Sequence, residues 1–217
     1  IHYAELREND YFQDTAFTRF EFPNIGPFRK VHLKYGLTYT QLDYQPYQKQ
    51  HQIEVEAEYR DKLNRMRFGA GYSDNTYYRE AEGLTGPAAR LYFDYRRILP
   101  LWDHELRLRG NADYRCTQHG SLERFTQRVR LMYRAQIWRE LYGYVESSYR
   151  RDDFPASQTA FLPHRTDHRL SGEVRFEYQV WRHFSFNWGY LYESQDSRRF
   201  DQEYGRHQAD AGFSFSF

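Results

Sequence analysis

Residues 104–115 read HELRLRGNADYR. Leu106, Leu108, Gly110, Ala112 and Tyr114 take every second place, and Glu105, Arg107, Arg109, Asn111, Asp113 and Arg115 fill the places between. Successive side chains of a β-strand point to opposite faces, so this stretch predicts a strand with one uncharged face and one densely charged face. A helix would mix the two sets, because residues three and four apart share its faces.

The division recurs on both sides. Upstream, Ile53, Val55, Ala57 and Tyr59 alternate with Glu54, Glu56, Glu58 and Arg60. Met66, Phe68, Ala70 and Tyr72 then oppose Arg65, Arg67, Gly69 and Gly71, and Leu91, Phe93 and Tyr95 oppose Arg90, Asp94 and Arg96. Downstream, Val129, Leu131, Tyr133 and Ile137 face away from Arg124, Arg128, Arg130 and Arg134, and Leu170, Val174, Phe176 and Tyr178 from Arg169, Glu173, Arg175 and Glu177. Phe184 to Tyr192 and Ala209 to Phe217 close the series. With Val31 to Tyr39, a strand around Thr18, Phe20 and Phe22, and a weaker one at residues 2–8, the count reaches about twelve.

The chain has 217 residues, 28% charged and 19% aromatic, with a mean hydropathy of -0.99. A soluble sandwich hides its apolar face under a second layer and turns its polar face to bulk water. Here the polar face carries the glycines and arginines, and the other face is uniformly aliphatic and aromatic. That pattern predicts an all-β fold: one closed antiparallel transmembrane β-barrel over residues 1–217, apolar outside and polar within. There is no run of about 18 apolar residues to form a membrane helix. No signal peptide precedes the first segment, as expected of a mature, processed chain. A net charge of +1 gives no argument for nucleic acid, and no phosphate loop or basic-aromatic platform stands out, so no nucleic-acid partner is expected. The single Cys116 has no partner for an internal disulfide or a metal site.

Connection lengths are a second guide, since membrane barrels join strands by short periplasmic turns and longer external loops. Glu193 to Arg206, Arg151 to His168, Cys116 to Glu123, Ser73 to Pro87 and Tyr44 to His51 are predicted to be external. Trp181 to His183, Trp138 to Glu140, Ile98 to Asp103 and Asp61 to Leu63 are predicted to be short turns. Trp102, Trp138 and Trp181 fall in these turns, where their rings would form a girdle at the membrane interface. An even strand number places both termini in the periplasm.

The terminal run Phe213, Ser214, Phe215, Ser216, Phe217 resembles the C-terminal signature of Gram-negative outer-membrane proteins, alternating aromatics ending in Phe. That resemblance implies the outer membrane as location, its lipid as surroundings, and recognition of Phe213, Phe215 and Phe217 by the barrel-assembly machinery. The hairpin from Leu191 to Phe217 is similar to the last hairpin of several barrel families, including those of polysaccharide-export proteins. The size and Arg-rich interior are similar to the small porins for acidic oligosaccharides, without a residue-by-residue motif.

Inside such a barrel Arg90, Arg96, Arg107, Arg109, Arg115, Arg124, Arg128, Arg130 and Arg134 make a basic strip on three neighbouring strands. Glu54, Glu56, Glu58, Glu105, Asp113, Glu173 and Glu177, with Asp94, are its expected acidic partners. Surplus arginine in a low-dielectric wall attracts anions, which predicts a channel for small anionic solutes, acidic sugars among them. The same charges can instead interlock into a plug, leaving a closed barrel that anchors an envelope or secretion assembly for polysaccharide or protein export. A hydrolase would need its nucleophile and base to converge. Asp152, Asp153, His164, Asp167 and His168 on a long loop, with His119 and His207, show no spacing that predicts this. His164, Asp167 and His168 are also the nearest approach to a metal-binding trio, and neither a metal nor a cofactor is expected.

Overall fold

The computed structural model describes residues 11–42, 45–78, 84–100, 104–117, 123–155, 164–181, 183–197 and 203–215. They form one antiparallel sheet of eleven strands in chain order. The strands are β1 (Tyr11–Ile25), β2 (Phe28–Leu42), β3 (Gln45–Arg60), β4 (Asn64–Tyr77), β5 (Gly86–Leu99), β6 (His104–Arg115), β7 (Arg124–Trp138), β8 (Leu141–Phe154), β9 (Arg165–Trp181), β10 (Phe184–Ser197) and β11 (Tyr204–Phe215). The weaker strand expected at residues 2–8 lies outside the described residues. So do Trp102, His119 and Phe217.

At 12 to 17 residues, every strand is longer than the roughly 9–11 needed to cross a bilayer. The extra length corrects the loop boundaries. Asp152 and Asp153 sit in β8 and Asp167 and His168 in β9, rather than in a loop. Backbone pairing has no need of apolar side chains, so the ladders run on past the apolar band. The supposed loop from Tyr44 to His51 is corrected too: β3 starts at Gln45 and only residues 43–44 separate it from β2. Pro46 cannot donate to the ladder, and it pairs with Gln41 beside a shift in register.

The remaining connections keep the expected asymmetry. One end has the short links 26–27, 61–63, 100–103, 139–140 and 182–183, and the other has 78–85, 116–123, 155–164 and 198–203. These are called the turn side and the loop side below. The link between β1 and β2 depends on positive φ at Asn24 and Gly26, both 55°, which these two residue types tolerate.

The turn between β3 and β4 is closed by Asp61. Its carboxylate accepts from the Asn64 side chain (3.0 and 3.1 Å) and from the backbone N–H groups of Asn64 (2.6 Å) and Leu63 (2.8 Å). These donors, the Asn64 amide foremost, hold the Asp61 pKa down at about 2. They bind the ionised form, so the turn is fully braced above the unfolded carboxyl value of about 3.9 and loosens as pH falls toward 2. Protection of the Leu63 amide against hydrogen exchange, taken relative to the free amide at each pH, should therefore fall over that window, and Asp61→Asn should abolish this acid dependence.

Burial is inverted relative to a soluble protein. Among the described residues no hydrophobic side chain is buried, while Glu58, Asn75, Thr126 and Asp167 are. The exposed side chains include Phe68, Leu91, Val129, Leu131, Leu170 and Val174, the residues of the uncharged face. Water would charge about 25 cal/mol for each Å² of that surface, whereas hydrocarbon leaves it without cost. The face is therefore a lipid-contacting band, and the protected side is polar.

Candidate functional site: an arginine-lined polar face

Register places the arginines in rows. Arg60, Arg65, Arg96 and Arg107 are directly opposite one another across β3 to β6 near the turn side. Arg109 faces Arg130. Arg128, Arg150 and Arg169 are aligned across β7 to β9, and Arg115 faces Arg124 toward the loop side. Like charges in such positions repel, so each row needs acidic neighbours or a ligand.

Those neighbours are unevenly distributed. On the turn side Arg65 bonds Glu58 at 2.8 Å, Arg96 bonds Glu105 at 2.6 Å, and Asp94 takes Arg67 and Arg107, each at 2.6 Å, with Arg109 at 3.7 Å. Arg130 reaches Glu146 at 3.1 Å. Toward the loop side Arg90 pairs with Asp113 at 2.5 Å and Arg150 with Asp152 at 2.6 Å. Among the described residues, Arg115, Arg124 and Arg128 have no carboxylate within 4.0 Å. Arg115 donates to the Tyr77 hydroxyl at 3.2 Å instead. Arg134 likewise relies on rings, its guanidinium 4.8 Å from the centre of Tyr142 and 5.5 Å from that of Tyr144.

The expected acidic partners separate into two groups. Glu58, Glu105 and Asp113 hold arginines, and Glu173 holds Arg175 on its own strand. Glu177 accepts from the Tyr144 hydroxyl at 3.0 Å. Glu54 and Glu56 take no arginine: the Tyr92 hydroxyl lies 3.0 Å from Glu54 and 2.6 Å from Glu56 and has one proton to give. Tyr92 spans from β5 over β4 to β3 because its direct partner on β4 is Gly69. A Cβ at Gly69 would sit 2.2 Å from the Tyr92 ring. Gly69→Ala should therefore cost about 2 kcal/mol of stability in wild type and much less in a Tyr92→Ala background, a coupling that a urea-titration double-mutant cycle reads.

Among the described residues, no three His, Cys, Asp or Glu side chains are placed to hold a metal ion. Adjacent residues of one strand face opposite ways, so Asp167 and His168 are separated by the sheet. Asp167 pairs with Arg165 at 2.9 Å and accepts from Ser197, while His168 meets Tyr149 at 2.7 Å on the outward face. His207 similarly meets Tyr190 at 2.6 Å. The Cys116 thiol donates to Glu123 at 3.1 Å.

At the membrane edges Trp138 and Trp181 end β7 and β9 on the turn side and are 64% and 71% exposed. Phe213 and Phe215 of β11 pack on Phe184, with ring centres 5.5 and 4.7 Å away. The polar face lines an open cavity of about 800 Å³, which runs from Gln48, Gln50 and Gln52 on β3 to Arg150 on β8. Tyr92, Gln48, Gln50, Asn75, Tyr77, Glu146 and Arg150 escaped the sequence reading. Only cross-strand register brings them to the arginines, although Arg150 keeps the period-two pattern.

An all-β antiparallel sheet with one uncharged, exposed face and one charged, protected face is the arrangement seen in outer-membrane β-barrels, and it is in fold that the chain resembles them. No protein-family profile matches the sequence, and no curated protein sequence is significantly similar to it. Solved structures carry the likeness. The copper transporter OprC superimposes with a TM-score of 0.60 at 11% identity, covering 94% of this chain and 40% of that one. In-vitro folded OmpT, an outer membrane protein of Vibrio cholerae, gives a TM-score of 0.50 at 9% identity and 94% coverage of each chain. The chain thus spans well under half the length of OprC, and the shared feature is the fold.

Proposed function

We propose that this protein is a channel of the bacterial outer membrane that passes small anionic solutes along its arginine rows. The observation that carries this is unneutralised arginine at one end of the polar face: among the described residues Arg115, Arg124 and Arg128 near the loop side have no carboxylate within 4.0 Å, while Arg65, Arg67, Arg96 and Arg107 toward the turn side are each held by one. With the loop side external, this surplus concentrates anions at the entrance, and the paired rows beyond offer weaker sites through which they move on.

A conducting interior also fits the reach of the ion pairs. Among the described residues they join positions on the same or adjacent strands and follow the wall rather than crossing between opposite sides. The sheet closes, in this proposal, into a barrel of about twelve strands with both termini periplasmic. Unpaired edges of β1 and β11 in hydrocarbon would cost several kcal/mol for each backbone group. The assembly machinery would recognise β11 through Phe213 and Phe215, Trp138 and Trp181 would mark the inner interface, and no catalysis is assigned. The dense cluster around Asp94 favours the second possibility, a closed barrel serving as anchor in an envelope or secretion assembly.

Planar-bilayer recording on the purified chain decides between them. Under a KCl gradient the channel is expected to show stable conductance and a reversal potential of the sign for chloride preference. Absence of conductance from correctly folded protein would leave the anchor.

A further inference from the structure

The loop-side cavity holds charges of both signs that have no ionic partner. Glu54 lines it with no cation within 4.0 Å among the described residues; it meets the Tyr92 hydroxyl at 3.0 Å and Gln52 at 3.4 Å. Lys34 is the direct cross-strand partner of Glu54, but its ammonium sits 5.1 Å from the centre of the Phe17 ring, toward β1. Glu56 shares the Tyr92 hydroxyl with Glu54 and adds negative charge to the same wall. Arg124 and Arg128 line the same cavity from β7 and have no carboxylate within 4.0 Å. The nearby Arg90 and Arg150 are already held by Asp113 and Asp152.

Between these poles the lining is rich in amides, with Gln50, Gln52 and Asn75 on one side and Asn111 on the other. A side-chain amide presents both donors and an acceptor, which is the complement of a peptide group. The cavity volume of about 800 Å³ is within the range that accommodates a small ligand. A simple anion would use the arginines and leave Glu54 and the amides idle. A carboxylate at one end, an ammonium at the other and amides between would use all three.

We propose that the loop-side cavity is a binding station for short zwitterionic peptides, with the C-terminal carboxylate on Arg124 and Arg128 and the N-terminal ammonium on Glu54. It rests on the polar face being a water-filled interior, as the channel proposal holds. The acidic and basic walls also create a field across the interior that aligns a dipolar solute before it moves on.

The test is calorimetric titration of the detergent-solubilised full chain with triglycine, N-acetyl-triglycine and triglycine amide. Triglycine is expected to bind about tenfold or more tightly than either capped form, one lost charge contact being worth that much. Glu54→Gln should erase the preference over the N-acetyl form alone, and Arg124→Gln with Arg128→Gln the preference over the amide alone. Equal binding of all three peptides by the unaltered protein, or no binding of any, would overturn the proposal without requiring a variant to fold. The outcome is separable from the channel question. Chloride-selective conductance without triglycine preference refutes the peptide station only, and triglycine preference without conductance refutes solute passage only.

Discussion

Asp94→Asn is expected to lower the unfolding free energy of the barrel by about 3 kcal/mol, the largest stability loss from any single polar substitution in its interior. Asp94 is only 11% exposed at its side chain and is shared by Arg67, Arg107 and Arg109 from the strands on either side of it. Removing the charge leaves three guanidinium groups facing one another, with Arg96 directly opposite Arg107. A half-buried charge left without its partner costs more than the pair had contributed, because its desolvation is no longer offset. Asn keeps the size and can still accept one hydrogen bond, so the loss reports charge rather than packing. Urea titration of the folded protein in detergent gives the figure. Glu146→Gln serves as control, since it releases only Arg130 and should cost about 1 kcal/mol.

The second large effect is on selectivity. Arg128→Glu is expected to lower the chloride-over-potassium permeability ratio roughly fivefold, and Arg109→Glu to lower it less. The substitution changes local charge by two units, worth about 2 kcal/mol for an ion 4 Å away in water before salt screening reduces it. Arg128 has no carboxylate within 4.0 Å, so its field reaches the solute, whereas that of Arg109 is partly cancelled by Asp94 at 3.7 Å. Turn-side arginines should behave oppositely. Arg107→Glu should mainly destabilise, since it sets a carboxylate against Asp94. Reversal potentials of the variants under a salt gradient separate the two classes.

Much of this was legible in the residues themselves, and the remainder was not for definite physical reasons. The face of each side chain follows from period two, so Leu106, Leu108 and Tyr114 against Arg107, Arg109 and Asp113 needed no structure. Strand ends were less visible: Asp152, Asp153 and Asp167 look like loop residues, yet the ladder carries them beyond the apolar band. Register was hidden altogether. Nothing in the sequence sets Arg128 level with Arg150 and Arg169, because that depends on how each turn offsets its two strands. Tyr92 was hidden for the same cause, since an aromatic on a charged face has meaning only once Gly69 is found beside it and Glu54 and Glu56 beyond.

The uncharged face meets lipid and the charged face meets water. Spin labels on single cysteines along β7, introduced at positions 127 to 133 in a Cys116→Ser background and reconstituted in bilayers, test it directly. Collision with oxygen, which partitions into lipid, should peak at Val129, Leu131 and Tyr133, and collision with a water-soluble nickel chelate should peak at Arg128 and Arg130, the two profiles alternating out of phase. Profiles in phase, or Val129 and Leu131 shielded from both reagents as beneath a second layer of protein, would contradict it.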